Sequence, residues 1–214
     1  MTSILATYER FAFAILACPL SLAREVILEQ SAAWDQNLVV DRPAARDVRP
    51  ILNSPDGPAR LPALRKAILL SEVEGPDGKR TLFISSVADG YSSMIYMVSK
   101  RVPGLHLAVQ ASNLSCEYPR NALMAIAGDQ EVRVVYAMRD TNAWDFFEKG
   151  EPLPFEDLSF YGLRQKRDRL TSKIISEYLV RFGYGSLDKD FWISAEPAHL
   201  LCEREFRLSG DGNS

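Results

Sequence analysis

The sequence predicts an α+β protein: a mixed β-sheet of about five to seven strands containing one β-α-β crossover, an N-terminal helical pair, and a long C-terminal helix packed on the sheet. Three stretches carry that expectation. Residues 81–87 (TLFISSV) are apolar and rich in β-formers, residues 92–102 repeat apolar side chains every three or four positions, and residues 105–111 alternate. Strand, helix and strand in one sheet imply two parallel strands joined by a right-handed crossover.

The remaining elements follow along the chain. In residues 3–17, Ile4, Leu5, Tyr8, Phe11, Ile15 and Leu16 recur at helical steps, which predicts an amphipathic helix. Pro19 interrupts it, and Ser21 is placed to cap a second helix over residues 22–34, so the two form an αα-hairpin. Residues 41–62 hold Pro43, Pro50, Pro55, Pro58 and Pro62, which predicts a connecting loop. The expected organisation is a helical pair (1–40), this loop (41–62), an α+β unit (63–208) and a polar tail (209–214), together one compact unit.

Residues 67–74 read as a strand, and Gly75-Pro76-Asp77-Gly78 as the turn of a hairpin into residues 81–87. Lys100 and Arg101 complement the dipole at the end of the 92–102 helix, and Pro103-Gly104 stops it. Residues 122–127 and 131–139 predict a second hairpin about Gly128-Asp129. The aromatic, acidic stretch 140–157 reads as a loop. From Asp157 or Ser159 the longest helix is expected to run to Phe182, burying Leu163, Leu170, Ile174, Tyr178 and Phe182, with Gly183 as its stop. Residues 190–194 and 199–207 each suggest a further strand.

Composition narrows the function. The 214 residues carry a net charge of −3, which gives no electrostatic argument for nucleic acid or an anionic membrane. Cys18, Cys116 and Cys202 are too scattered for a metal site or a disulfide framework, which points to reduced, buried thiols and a cytoplasmic location. No apolar run is long enough for a transmembrane helix, and Glu9 together with the uncharged leading residues argues against a signal peptide. His106 and His199 are the two histidines, and neither belongs to a metal-ligand spacing. No metal or cofactor is expected.

Two places have the composition of a site. Gly90-Tyr91-Ser92-Ser93-Met94 lies at a strand–turn–helix junction and resembles the G-x-S-x-G nucleophile elbow of α/β-hydrolases. That resemblance implies a small serine hydrolase with Ser92 as nucleophile, His199 as base, and Asp188 or Asp190 as the acid that orients it. Met94 replaces the second glycine of the family pattern, and no HGG-type oxyanion segment precedes it. The plainer reading makes Ser92 or Asp89 a helix cap. The same turn could hold an anion on free amides, although it has neither phosphate-loop glycine spacing.

The second place is the stretch with Trp144, Asp145, Phe147, Glu148, Glu151 and Phe155. It is either an aromatic loop folded over the sheet or a surface of aromatic anchors with an acidic rim, the composition with which partner surfaces are built. The absence of a coherent catalytic set favours the second. The expected function is a non-enzymatic, intracellular protein-binding module, such as a bacterial toxin-neutralising (immunity) or adaptor protein, whose acidic surface suits a basic protein partner. A third class, an assembly component oligomerising through the N-terminal helices, follows from the predicted αα-hairpin.

Overall fold

The computed structural model describes residues 8–34, 38–53, 66–184 and 189–204. Among these residues nine strands form one sheet in the order β2-β9-β3-β4-β1-β5-β6-β7-β8. They are β1 Arg10–Leu16, β2 Leu38–Asp47, β3 Ala67–Gly75, β4 Gly78–Ser85, β5 His106–Ser112, β6 Arg120–Ala127, β7 Gln130–Asp140, β8 Ala143–Lys149 and β9 Ile193–Glu203. Every neighbouring pair is antiparallel. The expected mixed sheet of five to seven strands is therefore replaced by a larger, wholly antiparallel one.

Helices cover both faces. α1 (Leu20–Ala33) and α3 (Ser92–Arg101) pack through Val26, Ile27, Met94, Ile95 and Val98 on a face built from Ala14, Leu16, Ile68, Leu70, Phe83, Ala108 and Ile126. The opposite face holds Phe11, Phe13, Ile15, Leu69, Leu82, Ile84, Val109, Leu123 and Val135. It is covered by α2 (Arg49–Leu52), α4 (Ser172–Leu179), α5 (Lys189–Trp192) and the residues leading into α4. Trp192 seals this second core, meeting Phe11 and Phe13 edge-on at 4.9 Å each.

The N-terminal segment departs most from expectation. Residues 10–16 (RFAFAIL) are not helical but form β1, the central strand, between β4 and β5. Helices on both faces require apolar side chains at successive positions, and Phe11 through Leu16 are all at most 2% exposed. A continuous apolar run satisfies a helical period and a doubly buried strand equally well, so periodicity alone misassigns it. Only α1 of the predicted helical pair exists as a helix; residues 1–7 lie outside the described ones.

Insertion of β1 also corrects the crossover. β4 and β5 both run antiparallel to β1, so they point the same way without pairing, and α3 links them across the intervening strand. The hairpins β3–β4 and β6–β7 form where the turn residues place them.

Three further corrections concern prolines, aromatics and charge. Residues 38–47, assigned in part to the loop, form edge strand β2, where Pro43 is tolerated. Pro50 lies in the first turn of α2; Pro55, Pro58 and Pro62 lie outside the described residues. Residues 143–149 form edge strand β8 instead of loop.

The long helix of residues 157–182 is broken into 3₁₀ turns at Leu158–Gly162 and Lys166–Asp168, followed by α4. Two caps divide it. Asp157 accepts the Ser159 N–H, and Thr171 Oγ1 accepts the Ile174 N–H at 3.2 Å. Between Leu163 and Leu170 the chain offers only charged and amide side chains to a core, and Leu163 is itself exposed. Leu170, Ile174 and Tyr178 are buried as expected. The two C-terminal strands merge into β9, preceded by α5; the tail from residue 205 lies outside the described residues.

Candidate functional site

Among the described residues β8 ends the sheet and pairs only with β7, from Asp140↔Ala143 to Val134↔Lys149. Alternation decides where its side chains go. Trp144 and Phe146 turn inward, packing against the core, with Phe146 5.3 Å from the Tyr161 ring and capped by the Arg169 guanidinium. Asp145, Phe147 and Lys149 take the other side. Phe147 is 41% exposed and stacks on Tyr136 at 5.2 Å and 22°. The Arg120 guanidinium lies 5.5 Å from the centre of the Tyr136 ring.

The predicted acidic surface is partly consumed by the fold. Asp145 pairs with Lys166 at 2.9 Å, and that hydrogen bond, with the Phe146 N–H, holds its carboxyl below the usual aspartate range. Glu148 reaches back to Arg133 at 2.8 Å. Glu151 is exposed and makes no hydrogen bond or ion pair among the described residues. Phe155 is not on this surface at all: it is 6% exposed, packed against Phe182 at 4.8 Å and Tyr178 at 6.2 Å. Of the predicted surface residues, Asp145, Phe147, Glu148 and Glu151 are exposed, with Trp144 half-buried behind them and the cationic Lys149 exposed among them.

Arg133 anchors this edge, and sequence reasoning assigned it no role. Its side chain is 1% exposed and that of Glu156 fully buried. Arg133 Nε donates to Glu156 Oε1 at 3.0 Å, and Nη2 to Glu156 Oε2 at 2.7 Å and to Glu148. Nη1 donates to the Gly150 carbonyl at 2.7 Å. Glu156 also accepts the Tyr161 hydroxyl at 2.7 Å and the Leu153 N–H at 3.0 Å. Burial alone would lower the guanidinium pKa, but the Glu156 and Glu148 carboxylates raise it above its ordinary value. Every partner is a group of this chain, so the network clasps the 150–156 turn against β7. The available signal was an arginine on the Val135–Ala137 side of an alternating strand, which turned out to be the core side.

The hydrolase residues are engaged separately. Ser92 Oγ donates to Asp89 Oδ2 at 2.8 Å, and Asp89 Oδ1 accepts the Tyr91 N–H at 2.9 Å. The positive-φ residues at this turn are Gly90 (φ 76°) and Tyr91 (φ 60°), not Ser92. His199, in β9, contacts Asp41 at 3.0 Å, and Asp41 is also paired with Arg24 of α1. Burial would raise the Asp41 pKa, yet hydrogen bonds from Arg24 and His199 lower it. Asp190 lies in α5, and Asp188 lies outside the described residues. Ser92 and His199 are not joined by a hydrogen bond, and α3 begins after Tyr91 with no side-chain cap from Ser92 or Asp89. His106 bridges the Ala17 N–H and the Val102 carbonyl inside the fold.

Among the described residues no group of three or more His, Cys, Asp or Glu could hold a metal ion, and no helix is long and apolar enough to cross a membrane. No family model, curated protein or solved structure matches the chain.

Proposed function

We propose that the chain is a non-enzymatic, cytoplasmic protein-binding module, of the adaptor or toxin-neutralising kind, that takes up an extended basic segment of a partner protein along β8. One observation carries this reading. β8 is a seven-residue edge strand without proline whose outer edge receives no main-chain hydrogen bond among the described residues. The other edge, β2, carries Pro43. An open edge is a template for strand addition, in which backbone pairing supplies affinity and alternate side chains supply selectivity.

The side chains beside that edge suit a cationic, partly apolar segment. Phe147 offers an exposed aromatic face already held by Tyr136, and Glu151 offers an uncompensated carboxylate. Glu148 is half-exposed while bonded to Arg133, so its position is fixed without burying its charge. Three free, buried thiols support a reducing compartment.

The test is capture of a partner from host lysate by tagged protein, repeated with Phe147→Ser, Glu151→Lys and, as control, Val180→Ser. Val180 is 44% exposed on a different element. One partner retained after a salt wash, lost in both β8-side variants and kept by the control, is the expected result. No partner, or one indifferent to Phe147 and Glu151, would overturn the reading.

A further inference from the structure

A second feature of the molecule is independent of the β8 edge and bears on a small ligand. At one end of the sheet, β1 begins, β5 ends, β6 begins and β7 ends, and these strand ends surround a cavity of about 490 Å³. Its walls include Arg10, Arg120 and Arg139. Register brings Arg10 and Arg120 to one face of the sheet end, while Arg139, on the alternate face, reaches the cavity wall from the other side. Arg10 is paired with Ser112, Ser112 Oγ bonds both the N–H and the carbonyl of Arg120, and Arg120 is paired with Met138, next to Arg139. Residues from four parts of the chain are thereby brought to one rim.

These charges are not neutralised by the fold. None of the three arginines has an ion pair among the described residues. Arg139 Nη2 donates to the Glu117 carbonyl at 2.9 Å, and Arg120 is held over Tyr136. Yet the Nε atoms of both Arg120 and Arg139 are buried without a hydrogen-bond partner. Closed to solvent, those two atoms are closed to a ligand as well, so binding falls to the ends of the guanidinium groups. Two carboxylates share the walls, but Asp89 already accepts the Tyr91 N–H and the Ser92 hydroxyl, which leaves Asp140 against three guanidiniums. Gln110 is tied by its Nε2 to the Asp89 carbonyl, which stiffens the wall.

We propose that this cavity binds a small organic oxyanion, a phosphate- or polycarboxylate-bearing metabolite, on Arg10, Arg120 and Arg139. Guanidinium forks match both oxyanion geometries, and the volume falls in the range of pockets for metabolite-sized ligands. Tyr118, half-exposed at the wall, supplies a ring face for the organic part.

Isothermal titration with ATP, inorganic pyrophosphate and citrate tests it, at low and at physiological salt. The expected result is saturable 1:1 binding of at least one probe, weakened about tenfold or more by Arg10→Gln and by Arg120→Gln and unchanged by Arg167→Gln on the exposed 3₁₀ turn. ATP binding without pyrophosphate binding identifies an organic phosphate, pyrophosphate binding a phosphate site, and citrate binding alone a carboxylate. Arg10→Gln decides the matter if Arg120→Gln proves unfolded by circular dichroism. No saturable binding of any probe, or wild-type affinity in Arg10→Gln, overturns the proposal. Neither result bears on the partner capture that tests β8.

Discussion

Glu156→Gln should be among the most damaging single changes in the protein, although it keeps size and shape. The variant leaves Arg133, 1% exposed, with one remaining carboxylate, Glu148, whose own side chain is 45% exposed. An amide can accept only on its oxygen, so its NH₂ group would face donors, Arg133 or the Tyr161 hydroxyl or the Leu153 N–H. Breaking a buried ion pair from one side costs about 3–5 kcal/mol, a large share of the roughly 5–15 kcal/mol that holds a domain together. Arg133→Met should cost a similar amount by stranding Glu156. The double variant Arg133→Met/Glu156→Gln removes both charges, so its loss should fall short of the summed single losses by about 2 kcal/mol. Urea unfolding of the four proteins, followed by tryptophan fluorescence, gives all terms of the cycle. Additive losses, or a Glu156→Gln cost below about 1 kcal/mol, would refute the clasp and leave the 150–156 turn held by Phe155 alone.

Other outcomes follow from the same structure. Burial holds His106 neutral, with Nδ1 accepting the Ala17 N–H, and lowers its pKa below the ordinary 6.5. The unfolded chain therefore takes up the extra proton first, and stability should fall as pH drops below about 6.5, a decline that flattens in His106→Gln when melting temperature is measured against pH. Burial pushes the Cys18 thiol up to about 11, and all three cysteines are buried, so a thiol reagent at pH 8 should react slowly with native protein and promptly in denaturant. Trp192→Ala opens the junction with Phe11 and Phe13 and should cost about 3–5 kcal/mol in chemical unfolding. Gly150→Ala should unfold or displace the turn after β8: φ is +83°, and an added Cβ would stand 2.0 Å from the Val132 carbonyl oxygen. Loss of the Arg133 cycle coupling in that variant is the measurable sign.

Local chemistry made several elements legible. The β3–β4 and β6–β7 hairpins are written in Gly75–Gly78 and Gly128-Asp129, α1 in the spacing of Val26, Ile27 and Gln30, and α3 in that of Ile95 and Val98 with Pro103-Gly104 behind it. The β8 signal was also present: Trp144 and Phe146 alternate with Asp145 and Phe147 between Thr141-Asn142 and Gly150. Acidic residues masked it, because an edge strand needs charge along its exposed side.

Pairing partners and burial on two faces are non-local, and they decided the remainder. Whether Phe11–Leu16 coils or extends depends on β4 and β5 arriving on either side. Likewise, a proline-bearing β2 is a strand only because it lies at an edge, and Arg133 is a core residue only because Glu156 folds back onto it. The Arg10–Arg120–Arg139 cavity is the clearest case, since its residues are far apart in sequence and meet only through the register of β1, β5, β6 and β7. The sequence by itself determined the turns of the β3–β4 and β6–β7 hairpins, the apolar sides of α1 and α3, and the composition of the β8 surface. The tertiary structure decided strand order, because hydrogen-bonded neighbours are chosen by what else must be buried, not by any property of the segment alone.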